Sequence, residues 1–450
     1  MDVFVAVTTL VFAGVAALIH LRVSRVKSAN RPPGLLVLDA SYTLDQIRDR
    51  GLEYALKSSE CDGLFGQVWT VHPLVGAEEG QGVAQRIRVS TIDSVHTYIE
   101  VSVTSGRGST STPRTSFVVS QVRLIRHLRR LIETGAISMI RSTDPYYLGL
   151  LGYLVARCAR LPFVVRVRSN GDLRYESTGL VGYPRLIPYY WLEVRILEFV
   201  VSRADQLFAP SIDNLEFAVG HGAQRDRISV VPYGSLLSPE HFGDPKDRRS
   251  IREELGIGDR PLIATVCRLE PEKFIADVVE VLTVVRSVVP EAVCVISGDG
   301  SLRGQLLELA ERHGHTDALV LVGNRPQQWV AELLADADVI LAFIIGRALV
   351  ESALSATPIV AYDCEWHTEF ITEGVTGLLV PSRDSAAMAE GALTLLSDSS
   401  RAAKIGLQAR THVLEVMSPA VVTQLERELL VTRFPLVLNS ESRSPSAPST

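Results

Sequence analysis

The sequence predicts an α/β protein with two domains, each built on a parallel sheet that helices cover on both faces. Short apolar runs alternate with amphipathic helical stretches along most of the 450 residues, which is the pattern of repeated strand–helix units. The length exceeds that of one ordinary domain, and the polar residues 235–260 separate two such series of similar size. We therefore expect two Rossmann-like domains, at residues 33–234 and 261–417, that face each other across a cleft.

The composition excludes several classes of protein. With 46% hydrophobic residues the chain is globular, and its net charge of −6 without a basic stripe argues against a nucleic-acid partner. The five cysteines are scattered and form no CxxC pair. This predicts buried free thiols in a reducing compartment, with no disulfide framework and no zinc site.

The first 24 residues are predicted to form a transmembrane anchor. Residues 3–19 contain no charged side chain, which is at the short end for a membrane span, and four basic residues follow by position 31. Basic residues on the carboxyl side favour a single-pass protein of the cell membrane whose body lies in the cytoplasm. A cleaved signal peptide would have its positive charge before the apolar core, and here the charge follows it. A signal segment or a buried helix is therefore the alternative to the anchor.

The end of the chain has two predicted parts. Residues 418–435 have the pattern of a final helix, which follows the second domain. Residues 436–450 are predicted to be a disordered tail because serine and proline dominate their composition.

Two groups of residues in the second half suit a diphosphate. Arg268 and Lys273 follow the first strand of that half, where two cations can hold phosphate oxygens by charge-assisted hydrogen bonds. Gly298 and Gly300 lie in a turn after the next strand, where the backbone must turn tightly or approach a ligand closely. Taken singly, the first pattern is also that of solvated surface charge, and the second lacks the full glycine fingerprint of a dinucleotide site.

The stretch from Gly346 to Pro381 carries the densest functional signal. A helix that starts at Gly346 and Arg347 presents free backbone N–H groups, which suit an anion. Glu351 lies in this helix and is either an acceptor for two ribose hydroxyls or an ordinary exposed charge. Polar and aromatic residues follow the next short strand, where open α/β sheets bind ligands. They are Tyr362, Asp363, Glu365, Trp366, His367 and Glu369.

Two histidines are candidates for acid/base catalysis or sugar binding. His72 and His367 each lie at or just past the end of a predicted strand. A single histidine is more often structural than catalytic, so both interpretations remain open at this point.

The order of these motifs closely resembles the retaining nucleotide-sugar glycosyltransferases of GT-B fold, the large group 1 class that includes glycosyltransferase family 4. The resemblance covers residues 205–400 well and the amino half only loosely. The matching segments are APSIDNLEFAVGHGAQRDRISVVPYG, CRLEPEK, ISGDGSLRGQLLELA, LVGN and GRALVESALSATPIVAYD…EFITEGVTGLLVP.

The resemblance implies a role for each matching residue. Arg268 and Lys273 would hold the pyrophosphate of the donor, with Gly346 and Arg347 beneath the phosphates, and Glu351 would bind the ribose. Donor nucleotide and sugar would contact Gly298, Gly300, Asp363, Glu365 and Trp366. The acceptor would enter from the amino half, near Ser41, Tyr42, His72, Asp144 and the segment Arg168–Asp172, which includes Asn170.

Three residues depart from the family pattern. The first Glu of the E-x7-E motif, which contacts the donor sugar, should stand at position 343, where this chain has Phe343. Cys267 and Phe274 stand where the family usually has glycine or another small residue. Either other groups hold the sugar, with Asp363, Glu365, Trp366 and His367 as candidates, or transfer activity is lost.

The resemblance implies transfer of a sugar from a nucleoside diphosphate to a hydroxyl acceptor with retained configuration. Such enzymes are thought to use a front-face route without a metal or another cofactor. The predicted anchor favours a lipid-linked acceptor or an envelope polysaccharide, and thus a role in polysaccharide biosynthesis. Two other hypotheses are an inactive homologue that binds a nucleotide sugar or scaffolds another transferase, and a nucleotide-sugar 2-epimerase.

Overall fold

A computed structural model of the protein describes residues 32–75, 87–102, 114–134, 137–183 and 186–438. These residues form two α/β units, each around its own mainly parallel sheet, which confirms the predicted fold class. The predicted anchor at residues 1–24 lies outside the described residues. Within the described ranges, no helix is both long enough and apolar enough to cross a membrane.

Eight strands form the sheet of the first domain. They are β1 Gly34–Leu38, β2 Gln67–Val75, β3 Ile87–Thr91, β4 His96–Ser102, β5 Met139–Ser142, β6 Phe163–Arg166, β7 Gln206–Ala209 and β8 Ile228–Val230. Their order is β3-β4-β2-β1-β5-β6-β7-β8. All neighbours pair in parallel except β3 and β4, which are antiparallel at the edge.

The helices of the first domain connect and cover these strands. They are α1 Leu44–Asp49, α2 Glu53–Lys57, α3 Arg114–Glu133, α4 Tyr147–Ala159, α5 Gly171–Thr178, α6 Tyr190–Val201 and α7 Ile212–Gly220. A capping box starts α1, because Thr43 and Gln46 bond to each other's backbone N–H groups.

The second domain has six strands, all paired in parallel in the order β11-β10-β9-β12-β13-β14. The strands are β9 Leu262–Val266, β10 Val293–Ser297, β11 Leu319–Gly323, β12 Val339–Ala342, β13 Ile359–Asp363 and β14 Leu378–Pro381. The helices from there to the end of the described chain are α8 Asp277–Val288, α9 Arg303–Arg312, α10 Gln327–Asp336, α11 Arg347–Leu354, α12 His367–Phe370, α13 Ser385–Ser397, α14 Ser399–Val416, α15 Pro419–Arg433 and α16 Pro435–Leu438.

The central strands are apolar throughout because helices cover both faces of each sheet. Every residue of β1 and of β10 is buried, as expected for strands in the middle of a doubly covered parallel sheet. This leaves the polar groups of each domain at the ends of the strands, where the chain leaves the sheet.

The chain crosses between the domains twice, and the two crossing segments touch. A Cβ atom on Gly234 would stand 2.0 Å from the carbonyl oxygen of Met417, so only glycine fits at position 234. After the second crossing, α15 packs on the first domain, where Val422 and Leu430 share a core with Val37. Leu438 in α16 is also buried, so residues 436–438 belong to the fold and not to the predicted tail, while 439–450 lie outside the described residues.

A buried carboxylate fixes α15 to the first domain. Glu426 is 1% exposed and accepts hydrogen bonds from Arg141 Nη1 at 2.9 Å and from Arg166 Nη2 at 2.5 Å. Burial alone would raise its pKa, but the two guanidinium groups outweigh burial and hold the pKa of Glu426 below its ordinary value. Since Arg141 and Arg166 belong to β5 and β6, one side chain ties the end of the chain to the middle of the sheet.

We expect Glu426→Ala to lower the free energy of unfolding by about 3–5 kcal/mol, because two buried guanidinium groups lose their counter-ion. Glu428→Ala is the matched control, since Glu428 is exposed two residues further along the same helix. Its effect should stay within about 0.5 kcal/mol. Urea titrations of both variants would measure the difference, and equal shifts would show that the buried triad does not fix α15.

Candidate functional site

The carboxyl ends of the strands of both sheets face one cleft. The turn Pro271–Lys273 of the second domain contacts α5 of the first. The ring centroid of Trp366 lies 5.5 Å from that of Tyr233, which is in the first crossing segment. Glu369 accepts hydrogen bonds, each 2.6 Å long, from two backbone N–H groups at the start of α7. These contacts close the cleft, the place where open α/β sheets bind ligands.

Lys273 gives the cleft a cation that remains available to an anion. Its ammonium group forms no ion pair with any carboxylate of the described residues. It is near enough to Glu365 to lower the pKa of that carboxylate. Arg268 differs, because its Nη2 donates to Glu272 Oε1 at 3.0 Å and 67% of its side chain is exposed. An anion would thus meet Lys273 directly, whereas Arg268 would have to leave Glu272 first.

The glycines of the SGDG turn are needed by the protein's own backbone. Gly298 has φ 146°, and a Cβ atom there would stand 1.8 Å from the carbonyl oxygen of Cys267. At Gly300 it would stand 2.5 Å from the carbonyl oxygen of Leu269. Close packing against the loop that carries Arg268 therefore requires glycine at both positions, and their contact with a donor stays a prediction.

Phe274, at a position where the family usually has a small residue, has φ 51° in the left-handed region that favours glycine. The guanidinium carbon of Arg383 lies 4.5 Å from the centroid of its ring. The aromatic ring is thus accommodated beside the Lys273 turn by a cation–π contact.

Arg347 forms an ion pair with the buried Glu351 at the start of α11. Arg347 Nε lies 3.0 Å from Glu351 Oε1, and Arg347 Nη1 donates to the carbonyl oxygen of Leu236 at 3.1 Å. Glu351 is 3% exposed, and its Oε1 accepts no hydrogen bond of good geometry among the described residues. The predicted phosphate-binding role of Arg347 does not agree with this arrangement, since its guanidinium faces Glu351 and the crossing segment.

Phe343 lies in the hydrophobic core and not in the cleft. It is 0% exposed, and its ring packs edge-on against Tyr362 with 5.4 Å between the centroids. Tyr362 in turn donates its hydroxyl to Asp277 Oδ2 at 2.9 Å. Only four residues connect β12 to α11, so position 343 leaves the sheet directly into the core beneath it.

His367 is a structural residue, which corrects its prediction as a catalytic group. It is 0% exposed, and its Nδ1 lies 3.0 Å from the carbonyl oxygen of Tyr362. Its Nε2 faces the backbone of Ile345, 2.9 Å from the carbonyl oxygen and 3.3 Å from the nitrogen. Burial lowers its pKa below the ordinary value. The neutral ring therefore connects the end of β13 to the loop before α11 and is not positioned to transfer a proton to a ligand.

The end of β13 and the loop before α12 contain Asp363, Glu365 and Trp366, which the sequence predicted to contact the donor. Asp363 is exposed at the strand end, and Trp366 is 3% exposed against Tyr233 and Phe370. Glu365 lies between them with φ 46°. Burial raises the pKa of Glu365, while Lys273 lowers it.

The opposite wall of the cleft combines carboxylates with an arginine. Arg168 Nη1 donates to Ser41 Oγ and Nη2 donates to Asp39 Oδ2, both at 3.4 Å. Burial raises the pKa of Asp144 to about 6, although the hydroxyl of Tyr183 donates to this carboxylate. Ser41 and Asp144, which were predicted to lie on the acceptor side, follow β1 and β5 and so stand at this wall. Tyr42 follows Ser41, and 36% of its surface is exposed.

Three predicted acceptor-side residues have structural roles. Asn170 caps α5 by accepting hydrogen bonds from the backbone N–H groups of Asp172 and Leu173. Asp172 accepts hydrogen bonds from the hydroxyl of Tyr190 at 2.7 Å and from His221 Nε2 at 2.8 Å. His72 is buried within β2, which continues past it to Val75, so the strand does not end where the sequence predicted.

The sequence analysis missed two residues of the cleft, Asp39 and Tyr233, and the bridging role of Glu369. Asp39 follows β1 directly, so the rule that identified the residues after β13 would have found it. Burial first, and then the charge of Glu365, raise the pKa of Tyr233 to about 12. Nothing in the local pattern around Tyr233 indicates that a crossing segment enters the site.

The buried neutral His367 predicts a pH dependence of stability. Because burial lowers its pKa from 6.5 in the folded state, the unfolded chain binds more protons below that pH. Its contribution is fully present above pH 6.5 and is lost as the pH falls. Between about pH 7.5 and about pH 5.5, the unchanged protein should lose more of its unfolding free energy than His367→Gln.

Urea titrations at the two pH values would measure this difference. His313→Gln, at an exposed histidine, is the control and should keep the full loss of the unchanged protein. An identical pH dependence in His367→Gln would contradict a neutral buried ring.

Comparison with protein families matches both halves of the chain. The model described as "Glycosyl transferases group 1" matches residues 247–412, and that described as "Glycosyl transferase 4-like domain" matches residues 66–234. Together they span about three quarters of the chain.

Several curated proteins are similar in sequence. A D-inositol 3-phosphate glycosyltransferase of Nocardia farcinica is 30% identical over 277 residues, which cover 59% of this chain and 60% of that protein. An alpha-D-kanosaminyltransferase of Streptomyces kanamyceticus is 24% identical, covering 55% of this chain and 64% of that protein. A GDP-mannose-dependent alpha-(1-6)-phosphatidylinositol monomannoside mannosyltransferase of Mycolicibacterium smegmatis is 28% identical, covering 38% and 48%. The chain thus matches less than two thirds of the length of each.

Solved structures share the fold over most of the chain. HepE of Anabaena, solved in complex with UDP and glucose, superposes with a TM-score of 0.67 at 16% identity and covers 89% of this chain and 100% of that one. Sucrose-phosphate synthase of Thermosynechococcus elongatus superposes with a TM-score of 0.69 at 15% identity, covering 90% and 100%.

Proposed function

The chain belongs to the group 1 glycosyltransferases of GT-B fold, and from this premise we propose that it transfers a sugar from a nucleoside diphosphate to a hydroxyl acceptor with retention. One observation carries the proposal. The available cation of Lys273 and the start of α11 at Gly346 follow the carboxyl ends of β9 and β12, and the buried carboxylate of Glu351 lies in α11. These are the groups that a diphosphate and a ribose require.

The leaving diphosphate is stabilised by fixed positive charge. Lys273 offers an ammonium group, and the first turn of α11 offers backbone N–H groups that the helix itself does not use. Charge that develops on the leaving oxygen meets donors already in place, and in many transfer reactions such donors contribute most of the rate acceleration. In this proposal the site needs no metal, so a chelator leaves turnover unchanged.

The ribose hydroxyls bind Glu351. Its Oε1 is buried without a hydrogen bond of good geometry from the described residues, so a hydroxyl donor would satisfy a group that the folded protein leaves unsatisfied. Arg347 holds this carboxylate in place and balances its charge.

The acceptor hydroxyl binds at the wall formed by the ends of β1, β5 and β6. Asp39, Asp144 and Arg168 can orient a hydroxyl by accepting and donating hydrogen bonds. The contact of Glu369 with α7 keeps the domains closed, which excludes water and limits hydrolysis of the donor. Deprotonation of the acceptor would be assisted by the donor phosphate on the same face.

We further propose a membrane-anchored enzyme with a lipid-linked or envelope acceptor. The support is the uncharged segment at residues 3–19 and the relative whose name specifies a phosphatidylinositol monomannoside acceptor. A variant that lacks residues 1–24, acts equally well on soluble acceptors and shows no preference for lipid-linked ones would contradict this part.

Nucleotide release from a panel of UDP-, GDP- and ADP-sugars by the full chain tests the reaction. We expect one donor to be turned over, with Lys273→Ala reducing kcat by about 10²–10³-fold because a fixed cation is lost. Glu351→Gln should raise KM about tenfold or more, since a charged hydrogen bond becomes neutral.

Matched controls separate these effects from damage to the fold. Lys404→Ala and Glu415→Gln change the same residue types at exposed positions of α14 and should behave like the unchanged protein. Turnover that is insensitive to both Lys273→Ala and Glu351→Gln would exclude the proposed donor site.

A second candidate function, a non-catalytic nucleotide-sugar binding protein, is favoured by Phe343. This residue fills the core where the family's sugar-contacting carboxylate is expected. Tight donor binding without release, even with membrane extract as the acceptor source, would support this candidate.

Restoring the family residue should not restore a sugar contact. We expect Phe343→Glu to destabilise the protein by about 3–5 kcal/mol, because it buries an unpaired carboxylate beside Tyr362. Phe343→Leu should cost less than about 1.5 kcal/mol. Thermal unfolding of the two variants measures the difference, and a stable, more active Phe343→Glu protein would mean that this position reaches the cleft.

A further inference from the structure

Glu365 has a backbone conformation that glutamate rarely adopts. Its φ of 46° lies in the left-handed region, where a side chain with a Cβ atom is strained. Such residues persist only where their surroundings hold them, and they concentrate at ligand sites.

The surroundings of Glu365 do hold the loop. His367 bonds on one side to the carbonyl oxygen of Tyr362 and on the other to Ile345. Cys364 donates its backbone N–H to the carbonyl oxygen of Tyr362 at 3.0 Å, and Trp366 is buried against Phe370. The residues on both sides of Glu365 are therefore fixed, and the side chain between them is directed by the fold.

The carboxylate of Glu365 has no partner in the part of the chain that the structure describes. It accepts no hydrogen bond there, and it forms no ion pair at contact distance with Lys273. Burial raises its pKa, Lys273 lowers it, and the nearby Asp213 raises it. Glu365 is half-buried and no described residue donates to its carboxylate, so a ligand can supply the donors.

The position of Glu365 is next to the start of α11. Its neighbour Trp366 contacts Tyr233, with 5.5 Å between the ring centroids. The hydroxyl of Tyr233 lies 3.9 Å from the point where a Cβ atom on Gly346 would stand. Lys273, Tyr233 and the first turn of α11 thus surround the space into which Glu365 opens.

Three of the other candidates for a sugar contact are excluded by their positions. Phe343 is in the core, both nitrogens of His367 bond to the backbone, and Trp366 is covered by its neighbours. Asp363 is exposed at the end of β13.

We propose that Glu365 binds hydroxyl groups of the donor sugar, in place of the carboxylate that Phe343 has replaced. The inference rests on the proposed function, because a sugar reaches Glu365 only if its diphosphate lies between Lys273 and Gly346. Two carboxylate oxygens suit a sugar that presents two free neighbouring hydroxyls. Glu365 would thereby determine which sugars the enzyme accepts, whereas Glu351 recognises the nucleotide.

The test compares binding of a nucleoside diphosphate with binding of its sugar conjugate by calorimetry on the full chain. For Glu365→Gln, we expect the dissociation constant of the nucleotide sugar to rise about tenfold or more, since charged hydrogen bonds become neutral. The dissociation constant of the nucleoside diphosphate alone should not rise, because the loss of a negative charge beside Lys273 does not weaken the binding of an anion.

Glu365→Gly separates the contact from the strain. Glycine adopts a positive φ without penalty, so the melting temperature of the Glu365→Gly protein should not fall. The affinity of this variant for the nucleotide sugar should fall as in Glu365→Gln. Glu390→Gln, an exposed position on α13, is the control and should bind both ligands like the unchanged protein.

The outcomes distinguish this inference from the proposed function. If the unchanged protein binds the nucleotide sugar and both Glu365 variants bind it equally well, the inference about Glu365 is wrong and the transferase proposal stands. If the unchanged protein binds neither ligand, both are wrong. A nucleoside diphosphate that loses affinity together with its sugar conjugate would also overturn the assignment to the sugar.

Discussion

The arrangement of the cleft depends on the buried carboxylate of Glu426. Its two partners, Arg141 and Arg166, stand in adjacent central strands, two or three residues before Asp144 and Arg168 at the cleft. The same interaction therefore fixes the last long helix and the strands that carry one wall of the site. The close contact of Gly234 with Met417 joins the two crossing segments beside it, so the domains are related through a short and tightly packed connection.

The two walls of the cleft have complementary chemistry. The second domain contributes Lys273 and the amide groups at the start of α11, which favour the anionic donor. The first domain contributes carboxylates and Arg168, which suit a neutral hydroxyl acceptor. Glu369 provides the direct charge-assisted contact between the walls, because its carboxylate occupies the N-terminus of α7. In the proposed reaction, closure, donor binding and acceptor orientation would thus use different groups.

Phe343 and Arg347 both have structural consequences in this chain. Phe343 removes a carboxylate from the site and adds an aromatic pair to the core, which ties β12 to β13 through Tyr362. Arg347 neutralises Glu351 and reaches Leu236, which connects the ribose carboxylate to the crossing segment. The strained Glu365 supplies a new carboxylate near the position where one has been lost.

The sequence by itself determined the two parallel sheets, the family and the segments that approach the donor, because apolar periodicity and motif order are local properties of the chain. It identified Lys273, Gly346 and Glu351 by their places after strands and in a helix. The tertiary structure alone decided which polar groups remain available. Arg347 is paired with Glu351, His367 is bonded to backbone on both sides, and Glu365 is left without a partner among the described residues. Pairing and burial depend on residues distant in sequence, so no local pattern contains them.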